Sequence, residues 1–378
     1  MKKINVLHLL SWFPRPDQPM SGNFCLKHIR SVSDDVNSVV LSAYIDPNVS
    51  QREIEVVNYA NFQQVLIHVP ASPLPSSIPL FLAYNAGFTY IRKHFFQPDL
   101  MHLHVTLPLG KMAFYWKKRH RLPYLLTEHW TIYQPQNVAM MTRKTLRSIR
   151  KIANAAELIL PVSHDLADNM RRYGIDRPFR CIPNVVDTQI FHPDDRQPHE
   201  IKHILHISTL RDEAKNFSGI LRTVQRLSQQ RQDFVLDVVH EFDRPEFKQF
   251  VIENHLEKFV VFHGRKEERD IAEFYQRADF LLLFSNFENL PCVIIEAFAC
   301  GLPIITTEVG GISEIMDESR GLTVPARDED ALLQALHQML DHCHDYDEQA
   351  ICAYAEANFS MPVIGQQLRE AYESVLRR

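Results

Sequence analysis

Short apolar runs alternate with amphipathic stretches along the whole chain, in two successive series, and this rhythm constrains the fold more than any other feature. The first series of runs is Ile4–Leu10, Ser38–Tyr44, Val65–Val69, Leu100–Val105, Tyr124–Thr127 and Leu158–Val162. Helical patterns at Asn23–Val32, Leu80–Phe95, Gly110–Arg119 and Thr142–Ala155 lie between them. The second series is His203–Ser208, Val235–Val239, Phe259–Phe262, Phe280–Phe284, Ile304–Thr306 and Leu322–Val324. Its helical patterns are Ser218–Gln229, Ile271–Ala278, Val293–Cys300 and Asp330–His342. Short apolar runs that alternate with helices predict parallel sheets covered on both faces. The fold class is therefore α/β, and 378 residues suffice for two such domains in series. Proline, asparagine and aspartate punctuate the join near Ile182-Pro-Asn-Val-Val-Asp-Thr-Gln-Ile-Phe191. The expected division is 1–184, 185–361 and a final helix at 362–378, in which Ile364, Leu368, Tyr372, Val375 and Leu376 share a face.

Charge is unevenly divided. Residues 1–190 carry 22 Lys and Arg against 13 Asp and Glu, a net of +9; the remainder carries 19 against 33, a net of −14. Two readings of the basic half stand side by side: a face for an anionic membrane or phosphorylated acceptor, or unequal solvated faces that attract each other. Six cysteines without metal-finger spacing suggest reduced thiols in a cytoplasmic protein. The opening Met1–Leu10 superficially mimics a signal peptide, but Asn5 and His8 break its apolar part. No apolar run is long enough to span a membrane.

The most informative segment is Phe284-Ser-Asn-Phe-Glu-Asn-Leu-Pro-Cys-Val-Ile-Ile-Glu296. It places Glu288 in a loop at the carboxyl end of a strand and Glu296 about a turn inside a helix. Two carboxylates so placed can accept hydrogen bonds from two sets of ligand hydroxyls, and the helix amino terminus beside them suits an anion. A second strand-to-helix passage, Ile204-Leu-His-Ile-Ser-Thr-Leu-Arg-Asp-Glu-Ala-Lys-Asn-Phe217, offers Arg211 and Lys215 as cations for a diphosphate. In Pro19-Met-Ser-Gly-Asn-Phe24, Gly22 would let the backbone approach a phosphate. Two Asp-x-Asp triplets, Asp328-Glu-Asp330 and Asp345-Tyr-Asp347, follow no strand near the glutamates and are not read as a metal site. His102-Leu-His104 is taken to straddle opposite faces of its strand, which argues against joint metal ligation.

The glutamate spacing, the run Glu296-Ala-Phe-Ala-Cys-Gly-Leu-Pro-Ile-Ile-Thr-Thr307 and the loop Val309-Gly-Gly-Ile-Ser-Glu-Ile315 resemble the donor site of family 4 retaining glycosyltransferases. The linker after Ile182 is similar to that family's, with Val185 where glycine usually stands. The resemblance implies the GT-B fold: two Rossmann-like domains, a cleft between them, and a last helix returning to the first. It implies that Glu296 accepts from ribose hydroxyls and that Glu288, with backbone N–H groups of Asn289 and Leu290, holds the sugar. Lys215 and Arg211 would stabilise the departing diphosphate, although Thr209 occupies the family's usual arginine position. Gly22, Gly264 and Arg265 join the donor-binding set. His129, in Thr127-Glu-His-Trp130, resembles the family's sugar-pocket histidine.

The activity implied is retaining, metal-independent transfer from a nucleotide diphosphate sugar to a glycan or lipid-linked glycan, plausible in bacterial surface polysaccharide synthesis. No cofactor is implied. Basic helices at Tyr115–Arg121 and Arg143–Lys151 either dock on anionic lipid at the inner face of the membrane or form solvated faces. No nucleic-acid-binding module appears. A nucleotide-sugar epimerase, a phosphorylase or a non-catalytic sugar-nucleotide-binding partner would share the fold. Acceptor choice falls to loops at Gln51–Tyr59, Pro70–Pro79 and Tyr133–Thr142, where no motif is recognised.

Overall fold

A computed structural model describes residues 3–13, 22–194 and 200–377. The chain divides into two compact units, Met1–Val185 with Met361–Arg378, and Val186–Ser360.

The first unit runs β1 (Asn5–Leu10), α1 (Asn23–Val32), β2 (Asn37–Ile45), β3 (Glu53–Asn58), β4 (Gln63–Val69), α2 (Ser77–His94), β5 (Leu100–His104), α3 (Gly110–His120), β6 (Tyr124–Glu128), α4 (Arg143–Ala153), β7 (Leu158–Pro161) and α5 (His164–Arg172). Its seven-stranded sheet has the order β3-β4-β2-β1-β5-β6-β7. Every pairing is parallel except β3 with β4. The central strands β1, β5 and β6 are buried throughout, including the polar residues Asn5, His8, His102, His104, Thr127 and Glu128 that interrupt their apolar runs.

The second unit runs β8 (Lys202–Ser208), α6 (Asp212–Lys215), α7 (Phe217–Ser228), β9 (Phe234–His240), α8 (Pro245–Glu253), β10 (Val260–Gly264), α9 (Glu268–Arg277), β11 (Phe280–Leu283), α10 (Cys292–Ala299), β12 (Ile304–Thr307), β13 (Gly321–Val324), α11 (Glu329–His342) and α12 (Glu348–Phe359). Six parallel strands stand in the order β10-β9-β8-β11-β12-β13. Their carboxyl ends share one edge, and the loops after β8, β11 and β12 meet there.

The last helix, α13 (Met361–Leu376), belongs to the first unit. Ile364, Leu368, Ala371, Tyr372 and Val375 join a core with Val6, Leu100, Leu125, Ile182 and Val185. Leu376, expected on the same face, is 40% exposed because the helix ends there, past the core. Burial of Val185 against α13 explains a residue larger than glycine in the linker, and its φ is not positive.

Three sequence expectations require correction. Gln51–Tyr59 is no loop: most of it is β3, an edge strand whose Glu53 and Glu55 keep it exposed. The strand read as ending at Val105 ends at His104, since Val105 turns at φ 67°. His102 and His104 share a face, as residues two apart on a strand must, and their rings stack with centroids 4.0 Å apart.

Candidate donor site

The site builds from backbone joints between strand-end loops. After β8, Leu210 enters the left-handed region at φ 53°, and α6 makes a single turn before Asn216 reverses the chain at φ 48°. Asp212 then caps α7, accepting from the backbone N–H and the hydroxyl of Ser218, both at 2.8 Å. This short turn fixes Lys215. Arg211 stands at the amino end of the same turn, where its carbonyl accepts from the N–H groups of Ala214 and Lys215; its side chain is exposed, with no hydrogen-bond or ion-pair partner among the described residues.

After β11, Asn286 stitches the glutamate loop to α6. Its N–H donates to the Ala214 carbonyl at 2.7 Å and its side-chain amide donates to the Glu213 carbonyl at 3.1 Å. The Lys215 ammonium consequently donates to the Glu288 carboxylate, 73 residues away. Ser285 donates to the same carboxylate oxygen at 2.7 Å, and the hydroxyl of Thr307, at the end of β12, donates to the Ser285 carbonyl at 2.7 Å. Lys215 and Glu288 are only 17% and 10% exposed, so the pair is poorly screened by solvent.

The loop after β12 closes the arrangement. Gly311 donates its N–H to the Asn289 carbonyl at 2.8 Å. Gly310 has φ 56°, and a Cβ there would lie 2.0 Å from the Glu288 carbonyl oxygen. Only glycine fits both the angle and the contact. Leu290 is buried beside this joint. Glu296 lies in α10, which begins at Cys292 with Pro291 at its cap, and accepts from the Tyr275 hydroxyl at 3.2 Å. Burial next to that carboxylate pushes the Tyr275 hydroxyl pKa well above its ordinary value, which keeps it a donor.

Sequence reasoning missed the support beneath Lys215. His206 Nδ1 lies 2.9 Å from the Leu282 carbonyl and Nε2 lies 2.8 Å from the Ser208 hydroxyl, which in turn accepts from the Leu210 N–H at 3.0 Å. One tautomer satisfies all three contacts: Nδ1 carries the proton and Nε2 accepts. Burial lowers the His206 pKa to about 4, and the Lys215 charge adds to this. Gly264 turns at φ 65° at the end of β10 with open space around it, and Arg265 beside it is exposed.

In the first unit, Gly22 has φ 74° at the amino cap of α1, where a Cβ would meet the Trp12 carbonyl oxygen at 2.3 Å. Pro19, Met20 and Ser21 of that turn lie outside the described residues. His129 follows β6, hydrogen-bonds to Asn184, and is held well below the usual histidine pKa by burial and then by His28. Glu128, absent from the sequence reading, accepts from the N–H groups of Thr106, His129 and Trp130 and from the hydroxyls of Thr106 and Tyr133. It anchors the turn that carries His129. Its signal in the sequence was a carboxylate closing a buried strand. Of the discounted acidic triplets, Asp328 and Asp347 cap α11 and α12 by accepting from Ala331 and Ala350.

Residues 37–190 match the family described as Glycosyltransferase Family 4, and residues 201–342 match Glycosyl transferases group 1. A putative teichuronic acid biosynthesis glycosyltransferase, TuaC of Bacillus subtilis, is 24% identical over 247 residues, 63% of this chain and 60% of that protein. The match thus spans less than two thirds of that relative's length. Sucrose-phosphate synthase from Thermosynechococcus elongatus superposes over 99% of both chains with a TM-score of 0.80 at 20% identity. HepE of Anabaena, solved with UDP-glucose, superposes over 98% of this chain and 99% of its own with a TM-score of 0.75 at 16% identity. The two parallel-sheet units are of the GT-B type.

Proposed function

The chain belongs to glycosyltransferase family 4, and from that premise we propose that it moves a sugar, with retention and without a metal, from a nucleotide diphosphate sugar to a glycan or lipid-linked glycan. The observation that carries this reading is the Lys215–Glu288 pair. A cation and a carboxylate from loops far apart in sequence are brought together at the strand ends, where α/β folds place ligands. Lys215, with exposed Arg211 a turn away, stabilises negative charge on the leaving diphosphate. Glu288, beside Asn289 and Leu290, accepts from sugar hydroxyls, and Glu296 from ribose hydroxyls. Gly264 and Arg265 border the nucleotide, and Gly22 and His129 take the roles that their family motifs give them.

UDP-glucose in HepE supports a nucleotide-sugar donor, and the name of TuaC supports a surface polysaccharide as the product. No helix among the described residues is long and apolar enough to cross a membrane. Contact with anionic lipid through α3 and α4, which carry Lys117, Lys118, Arg119, Arg143, Lys144 and Arg147, is part of the proposal.

The test is a panel of UDP-, GDP- and ADP-sugars with lipid-linked acceptors, run with and without EDTA, with the product anomer read by NMR coupling. One nucleotide class should turn over, insensitive to EDTA, with the donor's configuration kept. An altered sugar on the nucleotide in the absence of acceptor would replace transfer with epimerisation.

A further inference from the structure

The first unit gathers histidines that the transfer reaction does not use. His8 on β1 and His102 on β5 are register partners in the parallel sheet, and His104 follows two residues along. Ring centroids are 5.5 Å apart for His8 and His102, 5.9 Å for His8 and His104, and 4.0 Å for His102 and His104. One ring nitrogen from each of the three lies within 4.8 Å of the other two. All three side chains are buried, at 0%, 1% and 0% exposure.

Hydrogen bonding distinguishes this cluster from ordinary core histidines. His8 Nε2 lies 3.2 Å from the Ser38 hydroxyl, but its Nδ1 is buried without a partner. Neither nitrogen of His104 has a hydrogen-bond partner. An imidazole removed from water loses hydrogen bonds that the core must replace, and here three nitrogens from adjacent strands go unreplaced. His102, by contrast, is held by the Tyr372 hydroxyl at 2.8 Å and the Thr127 hydroxyl at 2.6 Å. Outer hydroxyls that fix a ring's orientation are what a coordinating histidine requires.

We propose that His8, His102 and His104 form a three-histidine site for one zinc-class divalent transition metal. Imidazole nitrogen suits zinc and its neighbours in the first transition row. Tetrahedral coordination at about 2.0–2.1 Å needs ligand nitrogens roughly 3.3 Å apart, so the rings close by small rotations. His8 coordinates through Nδ1 and keeps Ser38; His102 gives up one hydroxyl partner and keeps the other. The metal would cross-link β1 to β5 in the centre of the sheet and stabilise the unit by binding only its folded form. This site goes beyond the transfer reading and is independent of Lys215, Glu288 and Glu296.

The experiment uses the full chain, stripped with a chelator, dialysed against Zn(II) and assayed for bound metal, with Co(II) as the spectroscopic substitute. The expected result is one equivalent per chain, a tetrahedral Co(II) spectrum and a raised melting temperature. His8→Gln and His104→Gln should each weaken binding at least tenfold, while His342→Gln/His344→Gln on the surface should not. No stoichiometric uptake by the stripped wild type would overturn the site. So would uptake unchanged in both core variants, or uptake lost in Cys25→Ser but unchanged in His8→Gln, which would move the metal to the neighbouring set of Cys25, His104 and His129. Should the core variants fail to fold, the wild-type Co(II) spectrum decides: an octahedral, water-like spectrum refutes the proposal.

Discussion

Lys215 donates to the Glu288 carboxylate across 73 residues of sequence, and in doing so locks the loop after β8 to the loop after β11. If this pair serves the leaving group and the sugar, its members have separable effects on stability and on rate. Lys215→Met should lower kcat/KM by about 10²–10³, the range for removing one preorganised electrostatic contact. It should also lower the melting temperature, because Glu288 is left buried without its cation. Lys215→Met/Glu288→Gln should recover much of that stability and none of the activity. Steady-state kinetics beside thermal melts read both, and near wild-type turnover in Lys215→Met would end the assignment.

Gly310 tests the same loop from below without touching a charged group. A Cβ at this position would lie 2.0 Å from the Glu288 carbonyl oxygen, and the neighbour is backbone, which cannot swing aside. Gly310→Ala should therefore displace residues 288–290 and reduce kcat/KM by about 10²-fold, the cost of misplacing a site by about 1 Å. The Lys215 and Glu288 side chains remain present. A crystal structure of the variant with unmoved Glu288 and normal turnover would show that the loop's position does not govern the rate.

His206 supplies a pH dependence whose sign can be worked out. Its ring is neutral in the fold, with a pKa lowered to about 4 chiefly by burial, against about 6.5 in the unfolded chain. The unfolded state therefore binds the extra proton first as pH falls. Stability from this residue is fully present above about pH 6.5 and is lost toward pH 4, by on the order of 3 kcal/mol in all. The His206 ring resonance, identified by its loss in His206→Gln, should stay constant from pH 8 to pH 5. A midpoint near 6.5 would contradict the buried tautomer.

Much of this arrangement was legible in the sequence, for physical reasons that differ by element. Buried parallel strands are apolar along most of their length, so β1, β5 and β11 announce themselves even where His8, His102 and His104 interrupt the first two. The edge strand β3 alternates Glu53 and Glu55 with Ile54 and Val56 and is exposed along most of its length, so it reads like a polar loop. Helix α12 buries only Ile351, Ala355 and Phe359, a stripe too narrow to stand out. At the site, Lys215, Glu288 and Glu296 are visible because they stand in strand-to-helix passages whose motifs resemble the family's donor site. What holds them is not visible: Asn286 acts on backbone carbonyls, Gly310 through a dihedral angle, and His206 through a tautomer. Each depends on loops that meet only after the sheet has formed.

The last helix offers a test of the first unit by itself. Gly365 lies where α13 crosses α1, and a Cβ there would stand 1.9 Å from the Ser31 carbonyl oxygen. Both partners are helical backbone, so relief requires α13 to lift away from a core that includes Ile364, Leu368 and Tyr372. Gly365→Ala gains about 1 kcal/mol from helix propensity, yet overpacking of this kind costs about 1–3 kcal/mol or more. The net effect should be a lower melting temperature for the first unit. The same substitution at Gly264, which turns at φ 65° with open space around it, meets only the backbone strain of a left-handed residue and should cost about 1–2 kcal/mol. Thermal melts of the two variants separate crowding from strain: Gly365→Ala must be destabilised although its backbone angle suits alanine, and a melting temperature equal to or above wild type would show that α13 does not approach α1 this closely.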